Sequence, residues 1–197
     1  RGLSTLKFFP AEVSGGVEML KNLAGPFPNL MFMPTGGISP ANLASYAKQS
    51  NVLAVGGSWM VKPELIEAEN WDAISALCSE AVVTLQGLEI AHLGINNENA
   101  AEAEKTIAAL EAFGMVKKVG NSSTFLNTTI EVLPKMNYGR LGHLGFKCFD
   151  IERTLAYLGR HGFTVNEETI TRDAKGKIKV CYIQQEFSGF AVHLIKA

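Results

Sequence analysis

The sequence has 197 residues, 47% of them hydrophobic and 19% charged, with a formal net charge of -1. This composition can fill a folded core and excludes a disordered chain, while 18 basic against 19 acidic residues argue against a nucleic-acid partner or a polybasic membrane surface. No apolar run reaches the length of about 18 residues that a membrane-spanning helix needs, so we expect no membrane partner.

The beginning of the sequence and its cysteines bear on the origin of the chain. The first seven residues contain neither an initiator Met nor an apolar signal segment, so we expect a stretch of a longer chain. Cys78, Cys148 and Cys181 are an odd number, widely spaced and without a CxxC pair. They favour free thiols in a cytoplasmic protein over a disulfide framework.

The first part, residues 1–86, alternates short apolar runs with helical patterns. Runs bounded by Pro or Gly predict buried strands at 6–10, 30–34 and 52–55. Apolar periodicity predicts helices at 16–23, 40–48 and 71–85. Ser39 is a plausible N-cap, with Pro40 at the first helical position. Strands and helices that alternate at this spacing predict parallel βα units, an α/β fold.

The second part, residues 87–197, predicts an α+β domain in which a βαβββ order occurs twice. The first round has a strand at 89–95, a helix at 99–113 and strands at 116–119, 122–126 and 128–133. The second has a strand at 141–148, a helix at 151–161 and strands at 165–172, 177–184 and 190–195. A His-Leu-Gly echo, at 92–94 and 143–145, opens both rounds and indicates a weak internal repeat.

Lys7 is the first candidate for chemistry. It lies between Leu6 and Phe8 in an apolar strand, where a charged ammonium is costly and the neutral amine becomes available as a nucleophile. Such an amine is what Schiff-base chemistry on a ketone requires. The alternative is an edge-strand lysine whose stem lies on apolar surface and whose head stays in water.

Two glycine loops follow the later strands of the first part. Thr35-Gly36-Gly37 leads into a helix, and Gly56-Gly57-Ser58 follows the third predicted strand. Glycines at the carboxyl ends of parallel strands let backbone N–H groups approach an anion, and phosphate sites of TIM barrels are built from such loops. Each loop alone is also compatible with an ordinary tight βα connection.

These motifs together resemble one enzyme family. The segments LKFFPAE (6–12), FMPTGGISP (32–40) and VGGSW (55–59) are similar to those of the KDPG/KHG aldolases, which act on 2-keto-3-deoxy-6-phosphogluconate (KDPG) and 4-hydroxy-2-oxoglutarate (KHG). The resemblance implies the last three βα units of a (β/α)8 barrel, in a homo-oligomer that needs no metal. It also implies that Lys7 forms the imine with a keto-acid substrate, that Phe9 and Thr35 line the site, and that the phosphate is held by Gly36, Gly37, Gly57 and Ser58.

The implied activity is that of a lyase of carbohydrate metabolism. It would cleave KDPG to pyruvate and glyceraldehyde 3-phosphate, or KHG to pyruvate and glyoxylate. The family's general-base glutamate and carboxylate-binding arginine lie on earlier barrel strands that this sequence lacks. We therefore expect the aldolase site to be incomplete in this stretch.

The second part carries a candidate metal site. His92 and His143 lie in the first strand of each round, and Glu131 and His193 lie in the last, so a pseudo-two-fold axis would bring all four together. Imidazole and carboxylate ligands suit Zn, Ni, Mn or Fe. Each residue alone is more typical of a core polar group with a hydrogen-bond partner, and His161, at a helix end, is expected to be a cation near the helix terminus.

Residues 88–197 resemble the vicinal oxygen chelate superfamily of glyoxalase I and related dioxygenases. His92, Glu131 and His143 match three of its four ligand positions, and His193 stands where the family normally has glutamate. The resemblance implies, as the alternative function, a metal-dependent enzyme of this superfamily or a small-ligand-binding module. His193 can bind a metal but cannot act as a carboxylate base, and an inert oligomerisation module is a third possibility.

Overall fold

The computed structural model of the protein describes residues 2–197. The chain forms two compact units, the first ending at Gly87 and the second spanning Leu88–Ala197. The described residues form six α-helices and two sheets, a mixed α/β structure. None of these helices has both the length and the apolar character that crossing a membrane requires. All three cysteines are free, as predicted.

The first unit contains two strands, four helices and a short 3-10 turn. They are β1 (Thr5–Phe8), the turn Glu12–Ser14, α1 (Gly16–Ala24), β2 (Met31–Pro34), α2 (Pro40–Ala47), α3 (Pro63–Glu67) and α4 (Trp71–Gln86). β1 and β2 pair in parallel, as the alternation of strands and helices predicts. α3 was not predicted because its five residues are too few to show a helical period.

The prediction of a continuous third strand at 52–55 is wrong. The segment touches β2 through two isolated parallel bridges, which join Phe32 to Val52 and Thr35 to Gly56. Backbone hydrogen bonds beside each bridge keep the segment next to β2. No strand of the described residues pairs with the other edge of the segment, so its ladder is limited to these isolated contacts with β2.

The two faces of the small sheet differ in what covers them. Leu6 and Phe8 pack against the core of the unit, whereas Lys7 between them is exposed. In β2, Phe32 is buried, and Met33, the partner of Lys7 in the ladder, is exposed. The helices therefore cover one face, and the face that carries Lys7 is open. The buried core consists of Ala11, Leu20, Phe32, Ile38, Leu43, Tyr46, Val52 and Ala81.

The second unit repeats the order strand, helix, three strands. The first round is β3 (Glu89–Asn96), α5 (Ala100–Ala112), β4 (Lys117–Val119), β5 (Thr124–Leu126) and β6 (Ile130–Leu133). The second is β7 (Gly142–Cys148), α6 (Ile151–Arg160), β8 (Val165–Arg172), β9 (Ile178–Phe187) and β10 (Phe190–Lys196). The type and order of these elements agree with the sequence analysis, and only their ends differ by a few residues.

The eight strands of this unit form one sheet in the order β4-β5-β6-β3-β7-β10-β9-β8. The rounds meet at β3 and β7, which pair antiparallel, and each of these is flanked in parallel by the last strand of its own round. The first and last strands of both rounds thus occupy the middle of the sheet. These are the strands that carry the four predicted metal ligands.

One face of the large sheet packs against the helices. Under α6 the buried core is formed by Cys148, Ile151, Ile178, Cys181, Ile183, Val192 and Leu194, and under α5 by Ala103, Ile107, Leu126 and Val132. Successive side chains of a strand point to opposite faces. His193, between Val192 and Leu194, and Glu131, beside Val132, therefore project from the face away from the helices.

Candidate functional site

The glycine loops of the first unit lie side by side. The Thr35–Gly56 bridge joins the end of β2 to the start of the second loop. A methyl group at Gly56 would lie 2.6 Å from Oγ1 of Thr35, so the loops leave no room for a side chain there. The backbone oxygen of Gly37 accepts a hydrogen bond of 3.1 Å from Nδ2 of Asn42, which holds the first loop against α2.

Two glycines of the first loop are required by its conformation. Gly36 and Gly37 have φ angles of 97° and 78°, in the left-handed region that other residues avoid. A Cβ at Gly37 would also lie 2.6 Å from Cγ of Glu12. Among the described residues, the backbone N–H groups of Gly36, Gly37 and Gly57 have no protein acceptor. They are free to donate to an anion.

The expected burial of Lys7 is wrong. Its side chain is exposed because it projects from the face of the small sheet opposite to the core, on which Leu6 and Phe8 pack. Its apolar neighbours turn to the opposite face, as strand alternation requires. The Nζ atom of Lys7 lies 5.2 Å from the centre of the Phe9 ring, a cation–π distance, and Phe9 is 64% exposed.

Phe9 connects the lysine to the first glycine loop. A Cβ at Gly36 would lie 3.2 Å from Cδ2 and Cε2 of the Phe9 ring, so the ring and the loop are in contact. Lys7, Phe9, Thr35 and the first loop therefore lie at the carboxyl end of β1 and β2. The second loop reaches the same end through the Thr35–Gly56 bridge.

A partly buried contact behind the first loop was not predicted from the sequence. The hydroxyl group of Tyr46 donates a hydrogen bond to Oε1 of Glu12, and the Tyr46 side chain is fully buried. Burial, and then the hydrogen bond and charge of Glu12, raise the pKa of Tyr46. The two residues are 34 positions apart, and no local pattern in the sequence links them.

The four predicted metal ligands converge in the second unit. Nε2 of His92 lies 3.1 Å from Nε2 of His143 and 3.1 Å from Nε2 of His193. Oε2 of Glu131 lies 3.1 Å from Nε2 of His143 and 3.5 Å from Nε2 of His92. All three histidines are buried, so the predicted grouping across the central strands is present.

Burial and hydrogen bonding shift the pKa values of His92, His193 and Glu131. Burial lowers the pKa of His92 and brings the pKa of His193 to about 3, with a smaller effect of the neighbouring imidazoles in the same direction. Burial alone would raise the pKa of Glu131, but hydrogen bonds from His143 and Ser123 outweigh it and the pKa is lowered. Neutral imidazoles and an ionised carboxylate are the forms that bind metals.

The cluster fits a divalent cation. Bonds of about 2.0–2.1 Å to a tetrahedral ion separate its ligand atoms by about 3.3 Å, and four separations within the cluster, three of 3.1 Å and one of 3.5 Å, lie close to that value. Nδ1 of His143 and of His193 is buried without a hydrogen-bond partner, so both rings find their polar partners only on the Nε2 side. Imidazole and carboxylate donors suit Zn, Ni, Mn or Fe.

The residues that support the cluster were not found from the sequence. The hydroxyl group of Ser123 donates a hydrogen bond to Oε1 of Glu131. The ring of Tyr182 stacks on His193 with 4.9 Å between centroids, and Phe125 meets His92 edge-on at 5.6 Å. His161 lies at the exposed end of α6, outside the cluster, as predicted.

Comparisons with known proteins agree with the motifs of the first unit. Residues 1–77 match the family model for KDPG and KHG aldolase, which confirms the predicted resemblance. The KHG/KDPG aldolase of Escherichia coli (strain K12) is 52% identical over 81 residues, which make up 41% of this chain and 38% of that protein. The chain spans about 40% of the length of the curated relatives it matches.

Solved structures resemble each part of the chain. A KDPG aldolase from Legionella pneumophila, with pyruvate captured as a covalent carbinolamine intermediate, is 48% identical, covers 39% of this chain and 37% of its own, and has a TM-score of 0.38. Methylmalonyl-CoA epimerase from Mycobacterium tuberculosis is 15% identical, covers 54% of this chain and 86% of its own, and has a TM-score of 0.37.

Proposed function

We propose that the first unit contributes the Schiff-base lysine and the phosphate loops of a class I aldolase. The grouping of Lys7, Phe9 and the glycine loops at one end of the strands, in a segment 52% identical to a KHG/KDPG aldolase, supports this function. The proposed substrates are KDPG and KHG, both cleaved to pyruvate and an aldehyde. In this proposal the unit corresponds to the last three βα units of a (β/α)8 barrel, in a cytoplasmic homo-oligomer.

Lys7 would act as the nucleophile. Its neutral amine attacks the ketone carbon of the substrate, and loss of water leaves an iminium ion. The bond between the α and β carbons of the iminium then breaks, its electron pair forms the enamine, and the β-hydroxyl gives its proton to water and becomes the aldehyde. The enamine that remains takes up a proton, and water then releases pyruvate and the free amine.

The glycine loops would hold the substrate. The free N–H groups of Gly36, Gly37 and Gly57 and the hydroxyl group of Ser58 supply hydrogen-bond donors for phosphate oxygens. Oγ1 of Thr35 is buried without a hydrogen-bond partner, which supports a contact with the bound keto acid. The imine itself serves as the electron sink, so this reaction needs no metal.

Borohydride trapping tests the aldolase proposal. The full chain is incubated with pyruvate, reduced, and analysed by mass spectrometry of the intact protein and its peptides. We expect one reduced pyruvate on the peptide that contains Lys7. Lys7→Arg should remove the adduct, and the control Lys21→Arg, at an exposed lysine of α1, should keep it. An unmodified wild-type chain, or an adduct that persists in Lys7→Arg, would contradict the assignment.

The cluster in the second unit supports a second candidate function. We propose that this unit is a duplicated βαβββ domain of the vicinal oxygen chelate type, in which a divalent metal is held by His92, Glu131, His143 and His193. A bound metal would supply a Lewis acid that polarises substrate oxygens. The four side chains would hold and orient it. The supporting observation is the convergence of the three imidazoles, with the carboxylate of Glu131 beside two of them.

Metal analysis tests this second function. Protein purified without chelator is assayed for Zn, Ni, Mn and Fe, and the content is compared between wild type and His143→Ala. We expect about one metal per chain in the wild type and a large loss in the variant, with His161→Ala unaffected. A metal-free wild type that also takes up none of these ions on addition would exclude the site.

A further inference from the structure

The His-Leu-Gly echo has a structural meaning in the pairing of β3 with β7. In this antiparallel pair, His92 faces Gly145 and Gly94 faces His143. The histidine of each round therefore lies across from the glycine of the other. Gly145 also faces His193 on its other side, in β10. Two glycines thus lie directly beside the rings that form the cluster.

Space is what these glycines provide. A methyl group at Gly145 would lie 2.5 Å from Cε1 of His92 and 2.6 Å from Nε2 of His193. A methyl group at Gly94 would overlap the ring of His143 and lie 2.5 Å from its Nε2. Either one would push an imidazole away from the point where the Nε2 atoms meet.

Backbone conformation does not explain the glycines. Neither Gly94 nor Gly145 has a positive φ, so other residues could adopt the same backbone geometry. Glycine inside a strand weakens the strand because it loses more conformational freedom on folding and contributes no packing. Its presence at both positions is best explained by a requirement that the histidine rings impose.

We propose that Gly94 and Gly145 are positioning residues for a divalent cation of the size of Zn²⁺. Gly145 leaves room for the rings of His92 and His193, and Gly94 leaves room for the ring of His143. The bare backbone at these two positions lets the three rings approach one another closely enough to share one ion. This inference rests on the proposed metal site.

Zn²⁺ binding measured by competition with a chelating dye tests the proposal without any activity assay. We expect Gly145→Ala and Gly94→Ala to bind Zn²⁺ at least about tenfold more weakly than the wild type. Gly159→Ala is the matched control, since a methyl group there, in α6, meets no atom within 4 Å, and it should bind Zn²⁺ like the wild type. Undiminished affinity in Gly145→Ala would overturn the proposal.

A double-mutant cycle on the metal-free protein separates this inference from the metal site itself. Gly94→Ala should lower the thermal midpoint when His143 is present and much less in the His143→Ala background, because the overlap then disappears. Additive effects would refute the steric role. A wild type that binds no Zn²⁺, combined with a non-additive cycle, would reject the metal site and retain the packing of glycine against histidine.

Discussion

Removing one imidazole of the cluster should abolish most of the stability that a metal gives to the second unit. Zn²⁺ at about 100 times its Kd stabilises a folded protein by about 2.7 kcal/mol. For a unit of about 110 residues the entropy of unfolding is about 0.23 kcal/mol/K, so the thermal midpoint should rise by about 12 °C. His193→Ala removes one of four ligands. If this substitution lowers the affinity for Zn²⁺ about a hundredfold, the metal stabilises the variant by only about 0.4 kcal/mol. The thermal midpoint of the variant should then rise by only about 2 °C.

Calorimetry of the full chain, with and without Zn²⁺, measures this difference. His161→Ala is the control because His161 is exposed and lies outside the cluster. It removes an imidazole that could bind Zn²⁺ weakly at the surface and should keep the full rise. Equal rises in the wild type and His193→Ala would refute the claim that His193 is a ligand, since its Nε2 atom would then contribute nothing to binding.

Three further predictions concern buried groups. At about pH 8 a thiol reagent should label half-buried Cys78 and spare Cys148 and Cys181. Burial raises the pKa of the Cys148 thiol, and it raises that of Cys181 to about 12. Peptide mass spectrometry measures the labelling, and a labelled Cys181 in the folded protein would contradict the prediction. As the pH rises, the Cys181 thiol loses its proton in the unfolded chain before it does so in the folded protein. The free energy of unfolding should therefore fall as the pH rises from about 9 towards 12. Tyr46→Phe should cost about 1–2 kcal/mol in urea unfolding through loss of the hydrogen bond to Glu12, and an unchanged midpoint would show that this bond contributes nothing.

In the first unit, the local structure and the family resemblance could be predicted from the sequence, but the exposure of Lys7 could not. Short apolar runs and glycine loops are local features, so β1, β2 and the loop at Gly36 and Gly37 could be predicted. Whether Lys7 is covered depends on which strands lie beside β1 and over its open face. The same dependence on neighbours reduced the predicted strand 52–55 to two bridges.

In the second unit, the element order and the four cluster residues followed from the sequence alone, because strand periodicity and the repeated His-Leu-Gly motif are visible along the chain. The sequence alone did not reveal that Ser123 contacts Glu131, or that Gly94 and Gly145 lie beside the rings. Both features depend on strand register, and a shift of one residue would turn each histidine to the opposite face. The register is determined only in the folded sheet, because the hydrogen bonds and burial that fix it act between residues of β3 and β7 that are about fifty positions apart in the sequence.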